Sequence, residues 1–393
     1  MKQNRRDGEA LQMTIREGQM SQLARTTWIV WIIFFLTIAT MVAATSQQRT
    51  VTAAYRSASS HWFEGQDIYG EGIHGYLYLP HACILFTPFA LLPYEVGEIL
   101  WRGFGLGILA TAVWRLSRLE SQRNAGKLFL VMSLFTIPMA MSSARNGQMN
   151  LALAALMAHA AIDLVKRNWS TAAFWLTLGV ALKPLMISMF LLSAVLYRPL
   201  HWRLFLASVL LLLIPFLTQE PAYVSRQYLL FVQKMHIAGN PGEVEPYSDI
   251  YGIIRSLGVR VPFTLQTVMR ASAALLTLAV SWLGLRRWGH EWGTLLLLSF
   301  SACYILLFNP RTENNTYVLL AIPMALFATR AFLVERWFLV GSILTALTIC
   351  MSASYEITRG HNFWLSPASC LVFLAYVISL LIINRKPATI CAN

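Results

Sequence analysis

Apolar runs of about 16 to 22 residues recur from Trp28 to Ile383, separated by short polar stretches, and a helix needs roughly 20 residues to cross the hydrocarbon core of a bilayer. The first run covers 28–45; further apolar segments follow at about 78–93, 94–114, 128–143, 149–165, 171–197, 204–217, 263–285, 293–308, 316–333, 336–352 and 363–383. The pattern predicts an all-α polytopic membrane protein, a bundle of about 10–12 transmembrane helices with short re-entrant or juxtamembrane elements. It forms a single membrane domain over 28–385, between an N-terminal tail (1–27) and a C-terminal tail (386–393), with polar outer loops at about 46–77, 218–262 and 309–315.

Charge orients this pattern. Basic residues lie in short clusters, among them Arg198 with Arg203, Arg286 with Arg287, Arg330 with Arg336, and Arg385 with Lys386, and such clusters stay on the cytoplasmic side. Counting every segment as one span would put Arg115, Arg118, Arg123, Lys127, Lys166 and Arg167 outside. The preferred arrangement makes 78–93 a re-entrant or juxtamembrane element and splits 171–197 at Lys183 and Pro184, because proline disrupts a helix and irregular backbone is tolerated where it lines a cavity. The 1–27 segment is too long and polar for a signal peptide. The expectation is a bacterial inner-membrane protein with both termini cytoplasmic.

Composition agrees. Of 393 residues, 56% are hydrophobic and only 12% charged, about half the charge of a soluble domain. The net charge of +13 follows from the loop clusters, and no basic stretch is long enough to track nucleic-acid phosphates. The cysteines are scattered, which indicates neither a disulfide framework nor a zinc site.

Four polar clusters interrupt the apolar pattern: 62–69 with 76–81, 144–150, 182–184 and 309–317. In the preferred arrangement all four meet at the outer face, where their polar groups must be satisfied in a cavity or at the interface. Each also has a plain structural role: Lys183 snorkelling, Asn146, Gln148 and Asn150 capping a helix, Arg311 pairing with Glu313, Asp67 holding a turn. Together they suit an anionic lipid phosphate held by Lys183 and Arg311, with amides and tyrosines on sugar hydroxyls and a carboxylate as general base.

The phrases Gly-Gln-Asp-Ile-Tyr (65–69), Tyr-Leu-Pro (78–80), Thr-Pro-Phe-Ala-Leu-Leu-Pro (87–93), Asn-Gly-Gln-Met-Asn (146–150), Leu-Lys-Pro (182–184) and Asn-Pro-Arg (309–311) resemble glycosyltransferase family 87, in the family's order. The resemblance implies a GT-C-type membrane hexosyltransferase that takes mannose or a related sugar from a polyprenyl-phosphate donor and passes it, with inversion, to a lipid or glycan acceptor outside the cytoplasmic membrane. The family's catalytic aspartate would fall at Val51, between Thr50 and Thr52, and a later histidine near Asn315 or Thr316. With neither present, the base falls to Glu64, Asp67, Glu71 or Glu313; Glu313 beside Arg311 and Asp67 inside the glycine phrase are favoured. Lys183 and Arg311 are expected at the lipid phosphate, and Asn146, Gln148, Asn150, Tyr78 and His81 at sugar or helix-terminus contacts. No residue set has metal-ligand spacing, so no cofactor is expected. The partners expected are the donor, the acceptor and membrane lipids, without nucleic acid. Two further readings stand: a lipid-glycan transporter, against which the mostly clean spans and lack of a repeat speak, and a non-catalytic binder or scaffold, which the missing aspartate favours.

Overall fold

A computed structural model describes residues 2–45, 50–72, 74–239, 247–359 and 363–386, with side chains described from Gln22 onward. The tail beyond residue 386, Cys391, and the loop positions 46–49, 73 and 240–246 lie outside the described residues. Helices make up 82% of the chain, with no strand among the described residues, so the protein is an all-α polytopic membrane protein. The helices are α1 (Lys2–Ala44), α2 (Thr52–Glu64), α3 (Pro80–Ala90), α4 (Tyr94–Glu120), α5 (Ala125–Arg145), α6 (Asn150–Val165), α7 (Trp169–Leu182), α8 (Ile187–Leu196), α9 (His201–Leu213), α10 (Pro221–Gly239), α11 (Ile250–Ser256), α12 (Phe263–Phe308), α13 (Ala321–Leu333), α14 (Phe338–Ser352), α15 (Ser354–Thr358) and α16 (Leu365–Ile382). Among the described residues, seven helical stretches are long and apolar enough to cross a membrane, and four more are shorter apolar helices.

At the centre stands α6, every residue of which is buried. Its run of alanines lets α4, α7 and α12 approach closely, as small residues do between membrane helices; a Cβ on Gly105 of α4 would come within 3.3 Å of Leu151.

Two sequence ambiguities have clear physical answers. The segment at 78–93 contains only the 11-residue α3, which opens on Pro80 and at about 1.5 Å per residue is far too short to span. The segment at 171–197 is broken: Lys183 is extended (φ −150°, ψ 122°) and Pro184 opens a 3-10 turn, Pro184–Met186. Proline excludes the preceding residue from helical geometry, and Gly179 leaves the space that Met186 fills, a Cβ there lying 2.6 Å from its Cγ. The 46-residue α12 is a hairpin rather than one rod. Gly289 has φ 79° inside it, and the arms fold together so that Tyr304 Oη donates to the Arg270 carbonyl (3.4 Å). This matches the two segments read at 263–285 and 293–308.

The stretches expected as outer loops carry helices of their own, α2 within 46–77 and α10 and α11 within 218–262. Their mixed polarity hid them from a search for spanning runs. At the other end of the bundle the basic turns gather. Arg330 pairs with Glu120, His290 Nε2 meets the Leu164 carbonyl at 2.8 Å, and Arg287 donates to the Leu381 carbonyl at 3.0 Å. Asp163 and His159, the polar exceptions in the apolar pattern, also belong here: Arg115 bonds Asp163 at 2.7 Å and His159 Nδ1 at 2.8 Å.

Candidate active site

Opposite the basic end, a cavity of about 510 Å³ is walled by the start of α2, the 74–78 loop, the turn before α6, the break at Lys183, the end of α10 and the 309–316 segment. All four polar clusters supply structure around it, and Tyr78, Gln148, Lys183, Arg311 and Glu313 line it directly.

A chain of hydrogen bonds joins its cationic and anionic sides. Lys183 Nζ donates to Asn150 Oδ1 (2.6 Å), Asn150 Nδ2 to Asn315 Oδ1 (3.3 Å), and Asn315 Nδ2 to Glu313 Oε2 (2.8 Å). Gln148 Nε2 reaches the same Glu313 oxygen at 3.3 Å. Asn150 opens α6 and is fully buried; burial of its amide is tolerable because both ends are bonded. The Lys183 ammonium also lies 5.8 Å from the Tyr78 ring centre, and Arg311 lies 5.6 Å from that of Tyr247. Tyr78 and Tyr55 share a hydroxyl contact at 3.1 Å. Burial pushes the Tyr78 phenol up to about 12, so it stays a neutral hydroxyl able to donate or accept.

Three expected site residues are placed elsewhere. Asp67 is not among the cavity-lining residues; it bonds Arg226 at 2.5 Å and Gln227 at 2.8 Å, tying the segment after α2 to α10. His81 is buried, with Nε2 2.6 Å from the Leu211 carbonyl, and burial lowers its basicity. Asn146 ends α5, where its carbonyl accepts the Val51 N–H at 3.1 Å. Val51 itself lines the cavity.

Sequence reasoning missed other contributors. Lys234 of α10 is buried and donates to the carbonyls of Gly70, Gly72 and His74 at 2.7 to 2.8 Å, holding the loop that brings His74 and Gly75 to the cavity. Nothing in the pattern signals this, since carbonyl partners leave no side-chain trace. Glu98 and Arg102 form a buried ion pair at 2.7 Å on α4; the signal was present as opposite charges four residues apart inside an apolar run.

No curated protein matches the chain. The sequence model of glycosyltransferase family 87 matches residues 76–310, more than half of the chain, taking in Tyr78, Gln148 and Lys183 and stopping just before Arg311. The chain belongs to glycosyltransferase family 87.

Proposed function

We propose that this membrane glycosyltransferase moves a hexose, mannose or a close relative, from a polyprenyl-phosphate donor to a lipid-linked or polysaccharide acceptor at the outer face of the bacterial inner membrane. The basic end then faces the cytoplasm, as positive-inside bias requires. The observation that carries the reading is the meeting of two cations, Lys183 and Arg311, with one carboxylate, Glu313, in a single cavity.

In this reading Lys183 and Arg311 hold the donor phosphate, and Glu313 takes the proton of the acceptor hydroxyl as its oxygen attacks the anomeric carbon. The bond from that carbon to the phosphate oxygen breaks, its electron pair leaves with the lipid phosphate, and the two cations stabilise the charge that develops. One displacement inverts the anomeric centre. Gln148 and Asn315 fix the carboxylate, Tyr78 and Tyr55 offer hydroxyls to the sugar, and Asn150 supports Lys183 from behind. With the leaving group neutralised by side chains, the reaction is metal-independent, and a chelator should leave its rate unchanged.

The test is transfer of radiolabelled mannose from polyprenyl-phosphate mannose to extracted native lipids and glycans by the protein in nanodiscs, with Glu313→Gln alongside. Transfer that collapses in the variant is the expected result. Binding of polyprenyl-phosphate sugars without any transfer would instead favour a non-catalytic sugar-lipid binder, the reading that Val51 at the family's aspartate position supports.

A further inference from the structure

The part of the cavity wall around Val51 is held by charges that never reach the cavity. Glu98 is fully buried and Arg102 nearly so, and both sit on the first turns of α4, behind the wall. The Glu98 carboxylate accepts from Thr50 Oγ1 at 2.9 Å and from the Thr52 hydroxyl, so it grips both neighbours of Val51. Arg102 bonds Glu98 at 2.7 Å and sends its other nitrogen to the Arg145 carbonyl at 3.0 Å and to Thr50 Oγ1 at 3.3 Å. Between them, Trp101 Nε1 donates to the Gly147 carbonyl at 2.8 Å. The two gripped backbone stretches are themselves joined, Val51 N–H to Asn146 carbonyl, at 3.1 Å.

Gly147 completes the fit. Its φ of 65° is left-handed, and a Cβ there would lie 2.7 Å from Thr52 Cγ2 and 3.0 Å from Arg102 Nη2. The guanidinium and the threonine thus pack against the bare glycine backbone, and the next residue, Gln148, turns into the cavity towards Glu313.

A buried ion pair adds little net stability over a well-packed apolar pair, so its use here is geometric. We propose that Glu98 and Arg102 are a positioning pair for the transfer reaction, fixing 50–52 and 145–148 from behind and so aiming Gln148 at Glu313. The proposal rests on Glu313 acting as the base.

The experiment pairs two double variants with the wild type in nanodiscs. Glu98→Met with Arg102→Met removes both charges without stranding either. Thr50→Val with Thr52→Val leaves the pair intact and cuts its grip on the wall; this conservative change guards against misfolding of the first. Hydrogen exchange is read for peptides covering 50–56 and 144–150, beside kcat and KM for transfer. The expected result is exchange at least about tenfold faster in both stretches and unchanged in α6, with kcat down about 100-fold and KM within about threefold, since a misplacement near 1 Å costs on that order. Unchanged exchange in the two stretches, or a wild-type kcat in a folded variant, would overturn the proposal. A wild type that transfers nothing would sink the reading of Glu313 instead, and the exchange measurement would still decide whether the pair holds the wall.

Discussion

The amide nitrogen of Gln148 lies 3.3 Å from the carboxylate of Glu313, across 165 residues of sequence. The same carboxylate oxygen takes the Asn315 amide at 2.8 Å, which leaves Oε1 of Glu313 directed by two donors on its twin. In the proposed reaction, a base held this way keeps one lone-pair face for the acceptor hydroxyl. Glu313→Gln removes the basic oxygen while keeping the shape, and should lower kcat by about 100-fold or more. Gln148→Leu should cost less, about tenfold, because Asn315 still orients the carboxylate. Both are read from initial rates of sugar transfer.

Lys183 donates to the buried Asn150 amide oxygen, 2.6 Å away, and in the proposed reaction it also holds the donor phosphate. Lys183→Met should weaken binding of polyprenyl phosphate by about tenfold or more, the worth of a charge-assisted hydrogen bond. It should also destabilise the fold by about 1–3 kcal/mol, because Asn150 Oδ1 is left buried without its donor. Lys183→Arg keeps the charge for the phosphate but should not restore the lost stability in full, since a longer, planar guanidinium does not fit the place of a compact ammonium between Asn150 and the break before Pro184. Calorimetric titration with polyprenyl phosphate and a thermal melt check the two halves separately.

Much of this site was legible from sequence because a bilayer protein leaves its polar groups nowhere else to go. Asn150, Lys183, Arg311 and Glu313 stood between apolar runs, and their need for partners gathered Lys183, Arg311 and Glu313 into one cavity with Asn150 behind it. The break at 183 was legible for a local reason, Pro184. What escaped were groups whose neighbours come from distant backbone. Lys234 bonds carbonyls some 160 residues away, and Glu98 and Arg102 vanished into the average hydropathy of α4. The surroundings of Asp67 escaped for the same reason: it stands inside a family phrase, and its partners Arg226 and Gln227 lie on α10, inside a stretch read as loop.

That placement separates the two favoured carboxylates. The ion pair of Asp67 is open to solvent, with side-chain exposures of 66% for Arg226 and 37% for Asp67, and such pairs contribute about 0–1 kcal/mol. Asp67→Asn keeps an oxygen for Gln227 and should change stability by less than about 1 kcal/mol, retaining most of the transfer rate. Collapse of transfer in Asp67→Asn, with Glu313→Gln still active, would move the base to Asp67.

Asp249 offers a prediction in pH. It begins α11, accepting the Gly252 N–H at 2.7 Å, and is almost wholly buried. Burial raises its carboxyl to about 6, against the opposing pull of the Gly252 amide and Arg255. The folded state therefore binds this proton more tightly than the unfolded chain, whose carboxyl titrates near about 4. Its contribution to stability is complete below about pH 4, declines as pH rises through about 6, and is constant above. Asn caps a helix as well as Asp and has no charge to bury, so Asp249→Asn should match the wild type near pH 4 and exceed it at pH 8. Thermal melts of both proteins across that range test this, and a gap that shrinks with rising pH would refute it. The consequence reaches the cavity. Ser248, the residue before it, donates its N–H to the Thr312 carbonyl at 2.7 Å and its hydroxyl to Asn314 Oδ1 at 2.7 Å, while Tyr247 lies against Arg311. A cap that holds better at alkaline pH should hold the segment carrying Arg311 and Glu313 better too, and hydrogen exchange at 309–316 in Asp249→Asn should slow at pH 8 relative to the wild type.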